Sequence, residues 1–204
     1  RGDSPGTMGS NLLGVSLGQE ATDIDCGEDL SCALLADKNV KCWGRNDKGQ
    51  LGQGNTDSVG KDSGSMSQLN VVDHGYGTVA DICVGKKFVC LRLDDGKVKC
   101  WGENNKGQLG LGNTDTIGDS GGQMGSDLDR VEMTYLASSI SCGSEHVCAE
   151  INNGEVRCWG KGDDGRLGIG STDSIGDNSN EMGSLLPKVL FNAIFGSVTS
   201  VSVG

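Results

Sequence analysis

Proline and aromatic residues are scarce in this 204-residue chain: 2 Pro, 3 Trp, 2 Tyr and 3 Phe, with only 2 His. No stretch approaches the roughly 20 apolar residues of a membrane-spanning helix. The longest apolar feature, running from Val189-Leu190-Phe191 to Phe195, is short and interrupted. The shortage of proline, with no G-X-Y period, excludes a collagen-like or proline-rich chain. At 4% aromatics the core must be built mainly from Val, Ile, Leu, Ala and Cys. Cationic side chains are the minority, and the formal net charge of -11 repels phosphate backbones and anionic membrane surfaces. Nucleic-acid binding and membrane insertion are therefore not expected. The tripeptide Asn-x-Ser/Thr is missing, so N-glycosylation is not signalled; Thr114 and Thr116, beside an acidic loop, offer places for an O-linked glycan. The chain opens at Arg1 without a leader, so a signal peptide is expected to have been removed or to lie outside this segment.

Glycine, at 35 residues, and cysteine, at 9, are plentiful instead. The glycines imply many tight turns. The cysteines, if paired, imply an oxidising compartment and an extracellular or cell-surface location.

Self-similarity dominates the sequence. Cys42-Trp43-Gly44 recurs at Cys100-Trp101-Gly102 and Cys158-Trp159-Gly160, a step of 58 residues. The register holds without a gap through NDKGQLGQGNTDSVG from Asn46, NNKGQLGLGNTDTIG from Asn104 and GDDGRLGIGSTDSIG from Gly162. Met8, Met66, Met124 and Met182 keep the same step. Residues 1–204 therefore read as a single array of about 3.5 repeats, partial at both ends. Val201-Ser202-Val203-Gly204 matches Ile82-Cys83-Val84-Gly85 and Ile140-Ser141-Cys142-Gly143 in character.

Within each repeat, Cys32 to Trp43, Cys90 to Trp101 and Cys148 to Trp159 read as strand, tight turn, strand, turning at Asp37-Lys38-Asn39, Asp94-Asp95-Gly96 and Asn152-Asn153-Gly154. A shorter strand is expected before each hairpin, at 21–26, 79–84 and 138–142. The only helix candidate is 185–195, where Pro187 fits poorly. Such a unit cannot bury its faces alone, but stacked neighbours share a core, as in a propeller or solenoid.

The run Cys32-Ala33-Leu34-Leu35, followed by Val40-Lys41-Cys42-Trp43-Gly44-Arg45-Asn46 and Gly49-Gln50-Leu51-Gly52, resembles the regulator-of-chromosome-condensation repeat, in a secreted, cysteine-containing form. The resemblance covers nearly the whole chain. It implies an all-β fold of propeller blades, each a four-stranded antiparallel sheet, where the family has seven blades. It also implies face loops that bind proteins, since family members act as exchange factors for a small GTPase, chromatin binders and enzyme inhibitors.

Three cysteines recur per repeat. The ten-residue spacing across a hairpin sets paired positions face to face, at a separation a disulfide needs. Bridges are expected at Cys32–Cys42, Cys90–Cys100 and Cys148–Cys158, the alternative being reduced, buried thiols. Cys26, Cys83 and Cys142 are left unpaired or paired between repeats. No Cys-x-x-Cys occurs, so a zinc site is not expected, nor is a cofactor. A calcium alternative rests on Asp115 and Asp119, echoed by Asp173 and Asp177, although Lys61 takes the place of the second aspartate in the preceding repeat.

Arg1-Gly2-Asp3 is read as a repeat element, matching Gly118-Asp119-Ser120 at Gly2-Asp3-Ser4, rather than as an adhesion signal. The Gly107–Gly112 stretch lacks the remainder of a phosphate loop. His146 near Cys148 is the one conceivable nucleophile–base pair, and it is read as a strand-edge histidine; His74 lies in a connecting loop. No catalytic constellation emerges. The leading expectation is an extracellular, non-enzymatic scaffold that self-associates through its blades, as a filament or surface-fibre subunit would. The alternative is a propeller that recognises another protein through its face loops.

Overall fold

The computed structural model describes residues 4–11, 14–62, 64–191 and 200–203. Nine strands form three antiparallel sheets of identical order. The first holds β1 (Ala21–Cys26), β2 (Leu30–Leu35) and β3 (Val40–Gly44). The second holds β4 (Val79–Val84), β5 (Phe88–Leu93) and β6 (Val98–Gly102). The third holds β7 (Ala137–Cys142), β8 (His146–Ile151) and β9 (Val156–Gly160).

The hairpin between the second and third strands is set by its turn. In blade one, Lys38 N–H donates to the Leu35 carbonyl and Leu35 N–H to the Asn39 carbonyl, with Lys38 in the left-handed region at φ 70. Gly96 and Gly154 take that conformation in the other blades. A three-residue loop closed by a left-handed residue has a twist that suits antiparallel strands. Each first strand carries a bulge, between Ala21 and Asp23, Val79 and Asp81, and Ala137 and Ser139.

The expected fourth strand is reduced to isolated pairing. After each long loop the chain returns to the free edge of the third strand, where Val72, Val131 and Val189 N–H groups donate to the carbonyls of Val40, Val98 and Val156. Lys99 pairs with Arg130, and Arg157 with Lys188, as single bridges. One or two ladder bonds do not extend into a strand, so each blade is a three-stranded sheet with a stapled fourth segment. The helix candidate at 185–195 is not formed over 185–191, which hold turns and a bridge; 192–195 lie outside the described residues, as do Arg1-Gly2-Asp3 and Gly204. Residues 201–203 are described without a strand.

The core lies between blades. One cluster joins Leu34, Val40 and Leu51 of blade one to Val84, Leu91 and Trp101 of blade two. A second joins Cys90, Val98 and Leu109 of blade two to Val147, Ala149 and Trp159 of blade three. Blade two is thus covered on both faces. A third, smaller cluster lies on the far face of blade three, around Cys148, Val156 and Leu167.

Candidate protein-interaction site

The joint between consecutive blades is built from the repeated motif. At both joints an indole reaches back to the preceding blade: Trp101 Nε1–H donates to the Gln50 carbonyl at 3.0 Å, and Trp159 Nε1–H to the Gln108 carbonyl at 3.1 Å. The accepting loops are held from within. Asn46 and Asn104, both fully buried, receive Leu51 N–H and Leu109 N–H on their side-chain oxygens and donate to the carbonyls of Asn55 and Asn113. Gly49 and Gly107 sit at φ 69 and 72. A methyl group on either would overlap the peptide before Asp119 or Asp177 of the next blade, so glycine is required there both by conformation and by close approach.

Among the described residues, no such loop lies against blade one. Trp101 and Trp159 are fully buried, whereas Trp43 is half-buried and lines an open cleft of about 470 Å³ with Asp29, Arg45, Val59 and Lys61. Ile24 is 58% exposed, while its repeat equivalents Ile82 and Ile140 are 4% and 8% exposed. Gly60 is exposed where Gly118 and Gly176 are buried. The first blade therefore presents to solvent the residue types that the other blades use as core.

The cysteines complete the joints. Cys32–Cys42, Cys90–Cys100 and Cys148–Cys158 are disulfides within hairpins, in the pairs the spacing predicts. Cys83 and Cys142 form a fourth, between blades two and three. Cys26 is exposed and free. The corresponding place between blades one and two is closed by a hydrogen bond, Val84 N–H to the Asp25 carboxylate at 2.8 Å. Among the described residues, the one set of three potential metal-ligating side chains is Cys83, Cys90 and Cys142, all in disulfides.

The acidic loops do not assemble the calcium alternative. Asp115, Asp119, Asp173 and Asp177 join no group of three such ligands among the described residues. Asp119 accepts from the Ser120 hydroxyl, and Asp115 N–H caps on Asn113 Oδ1, as turn residues do. Burial, then the neighbouring Glu181, hold the Asp177 carboxyl above its usual range, and the charge of Lys106 in the preceding blade pulls against them.

His146 is not the strand-edge side chain its sequence context suggested. It opens the central strand β8, is 5% exposed, and occupies the place of Phe88 and Leu30 in the other blades. Its Nδ1 has no partner among the described residues, and burial, then the charge of Arg166, lower its pKa. Cys148 is bridged, so it offers no thiol for this imidazole to activate. His74 is likewise buried, with its pKa lowered by burial and by Lys99.

A model of the regulator of chromosome condensation (RCC1) repeat matches residues 21–50, 79–108 and 137–166, the three hairpins with their preceding strands and following loops. The human E3 ubiquitin-protein ligase HERC2 is 28% identical over 168 residues, which make up 81% of this chain and 3% of the ligase. The ultraviolet-B receptor UVR8 of Arabidopsis thaliana is 32% identical over 154 residues, 74% of this chain and 32% of the receptor. The chain thus spans a third or less of the length of these relatives. Prp20p of Saccharomyces cerevisiae superposes with a TM-score of 0.65 at 19% identity, over 90% of this chain and 42% of that one. Yeast RCC1 (Prp20) bound to Kap60 gives 0.62 at 20% identity, over 85% and 38%. Fold, joint chemistry and repeat pattern agree: this chain carries three RCC1 repeats, folded as an array of RCC1-type propeller blades.

Proposed function

We propose that the chain is a non-enzymatic, extracellular scaffold that associates with copies of itself through the uncovered face of its first blade. The exposure of Trp43 and Ile24, at positions that are core in blades two and three, carries this reading. An apolar face of this kind, bounded by the polar Asp29, Arg45 and Lys61, has the layout of an interface. Four disulfides suit an oxidising compartment, and no helix among the described residues is long and apolar enough to cross a membrane.

A second reading, recognition of a different protein through the same face or the face loops, draws support from the Kap60 complex of yeast RCC1. Solution mass across a concentration series, with negative-stain imaging, separates the two. Self-association gives mass rising with concentration and particles larger than one chain. Trp43→Ala should weaken it by about 2 kcal/mol, the usual effect of removing a central aromatic anchor. A wild-type chain that stays monomeric throughout would leave only the second reading.

A further inference from the structure

We propose that the outer edge of blade two carries a carboxylate clamp, formed by Lys99 and Arg130 beside Tyr76, that takes a glutamate or aspartate side chain of an acidic peptide segment from another protein.

Blade three holds the same clamp with its carboxylate already in place. Arg157 on β9 and Lys188 on the returning segment pair as a single bridge. Glu155, two residues before Arg157, joins their charges: Arg157 Nη2 donates to one carboxylate oxygen at 2.9 Å and Lys188 Nζ to the other at 3.0 Å. The hydrogen bond from Lys188, then that from Arg157, bring the Glu155 carboxyl down to about 2. The Arg157 guanidinium also lies 4.8 Å from the centre of the Tyr135 ring.

Blade two repeats every part of this arrangement except the carboxylate. Lys99 and Arg130 form the matching bridge, and Arg130 precedes Val131 as Lys188 precedes Val189. Tyr76 stands four residues after Val72, as Tyr135 does after Val131. The residue two before Lys99 is Lys97, whose ammonium is paired with Asp95 at 2.9 Å. Lys99 is 5% exposed and gives one N–H to the His74 carbonyl at 2.7 Å, and an ammonium has three to give. Among the described residues neither Lys99 nor Arg130 has an ion pair. Burial, then the charge of Arg130, push Lys99 below the usual lysine range, against the pull of Asp129 and Asp73. An anion set between the two cations relieves that strain. Blade one has no counterpart, since Val71 and Asn39 stand at the places of Arg130 and Lys97.

The clamp is open to a ligand. Lys99 and Arg130 line a cavity of about 400 Å³ with Ser126, Leu128, Asp129 and Tyr76, which is 81% exposed. Leu128 and the Tyr76 ring offer an apolar wall to the stem of an acidic side chain. The net charge of -11 repels a polyanion at long range, whereas a short acidic segment is held by the local pair of cations. The site shares no residue with the Trp43 cleft and does not depend on self-association.

The test is an NMR titration of the isotope-labelled, oxidised chain with a capped peptide of alternating glycine and glutamate, its glutamine counterpart serving as control. The glutamate peptide should shift the amides of residues 126–131 saturably, and the glutamine peptide should not. Arg130→Gln should weaken binding about tenfold or more. Lys97→Glu should abolish it in a chain that is otherwise folded as the wild type, because the new carboxylate fills the clamp as Glu155 does. Lys97→Gln removes the same cation without supplying a carboxylate and should keep binding within about threefold. The assignment is overturned by a wild-type chain without saturable shifts, by equal binding to the Lys97→Glu and Lys97→Gln variants, or by tighter binding of inorganic phosphate at the same residues.

Discussion

At the scale of single residues, the repeat allows each position to be judged against two equivalents. His146 stands where blade two has Phe88 and blade one Leu30, all buried. An imidazole there leaves Nδ1 without a partner among the described residues, at a cost that phenylalanine avoids. Its pKa is lowered on folding, so the unfolded chain binds the proton more readily. The neutral side chain is tolerated above the ordinary histidine value of about 6.5, and stability is lost as pH falls below it. His146→Phe should therefore raise unfolding stability by about 1 kcal/mol at neutral pH, with a gain that widens toward pH 5. Chemical denaturation at several pH values measures this. Equal stability for the two proteins at every pH would mean that the imidazole is satisfied by water. His74 shifts in the same direction, so the variant should lessen the acid sensitivity without abolishing it.

At the scale of elements, the disulfides divide by access and by span. The hairpin bridges close 10 residues each and involve buried sulfurs, whereas Cys83–Cys142 closes 59 and reaches a surface cavity through half-buried Cys142. With the free Cys26 blocked beforehand, a dilute thiol reductant should open Cys83–Cys142 first, seen as alkylation of those two cysteines ahead of the six in the hairpins. Early loss of a hairpin bridge would contradict this. By the chain-entropy estimate the long loop is worth about 4 kcal/mol against about 3 for a hairpin, so the Cys83→Ser, Cys142→Ser double variant should lose more stability than any hairpin pair. The hairpin bridges were legible because strand register alone fixes which residues oppose one another. Cys83–Cys142 was not, because it depends on how separate sheets meet, and its 59-residue span is one off the repeat. The fourth strand was over-read: the returning segments at Val72, Val131 and Val189 keep their apolar residue but make too few ladder bonds to count as strands. The role of His146 could have been read, since one repeat step leads to Phe88. The open cleft at Trp43 could not, because its Cys-Trp-Gly motif is identical to those of the buried tryptophans and only the packing of the described residues distinguishes it.

At the scale of the whole molecule, three blades in a row make stability positional. Each blade draws on its neighbours; among the described residues blade two has a large cluster on both faces, while blade three has a smaller one on its outer face. Hydrogen exchange on dilute, unassociated protein should protect β5 most and β1 least, with β8 between. Protection of β1 equal to β5 under those conditions would mean that something already covers the first blade.

The bond between Cys83 and Cys142 also governs how the chain responds to force. Tension across the first joint can part blade one from blade two, which are held by the hydrogen bonds from Val84 N–H to Asp25 and from the Trp101 indole to Gln50, by ion pairs such as Lys87–Asp47 and by packing, with no covalent bond. The path between the bridged cysteines cannot lengthen in the same way. At about 3.5 Å per residue, the 59 residues it encloses withhold roughly 200 Å of contour. The two seams thus answer tension differently: the first can open and lengthen, while the second is held shut by a covalent bond.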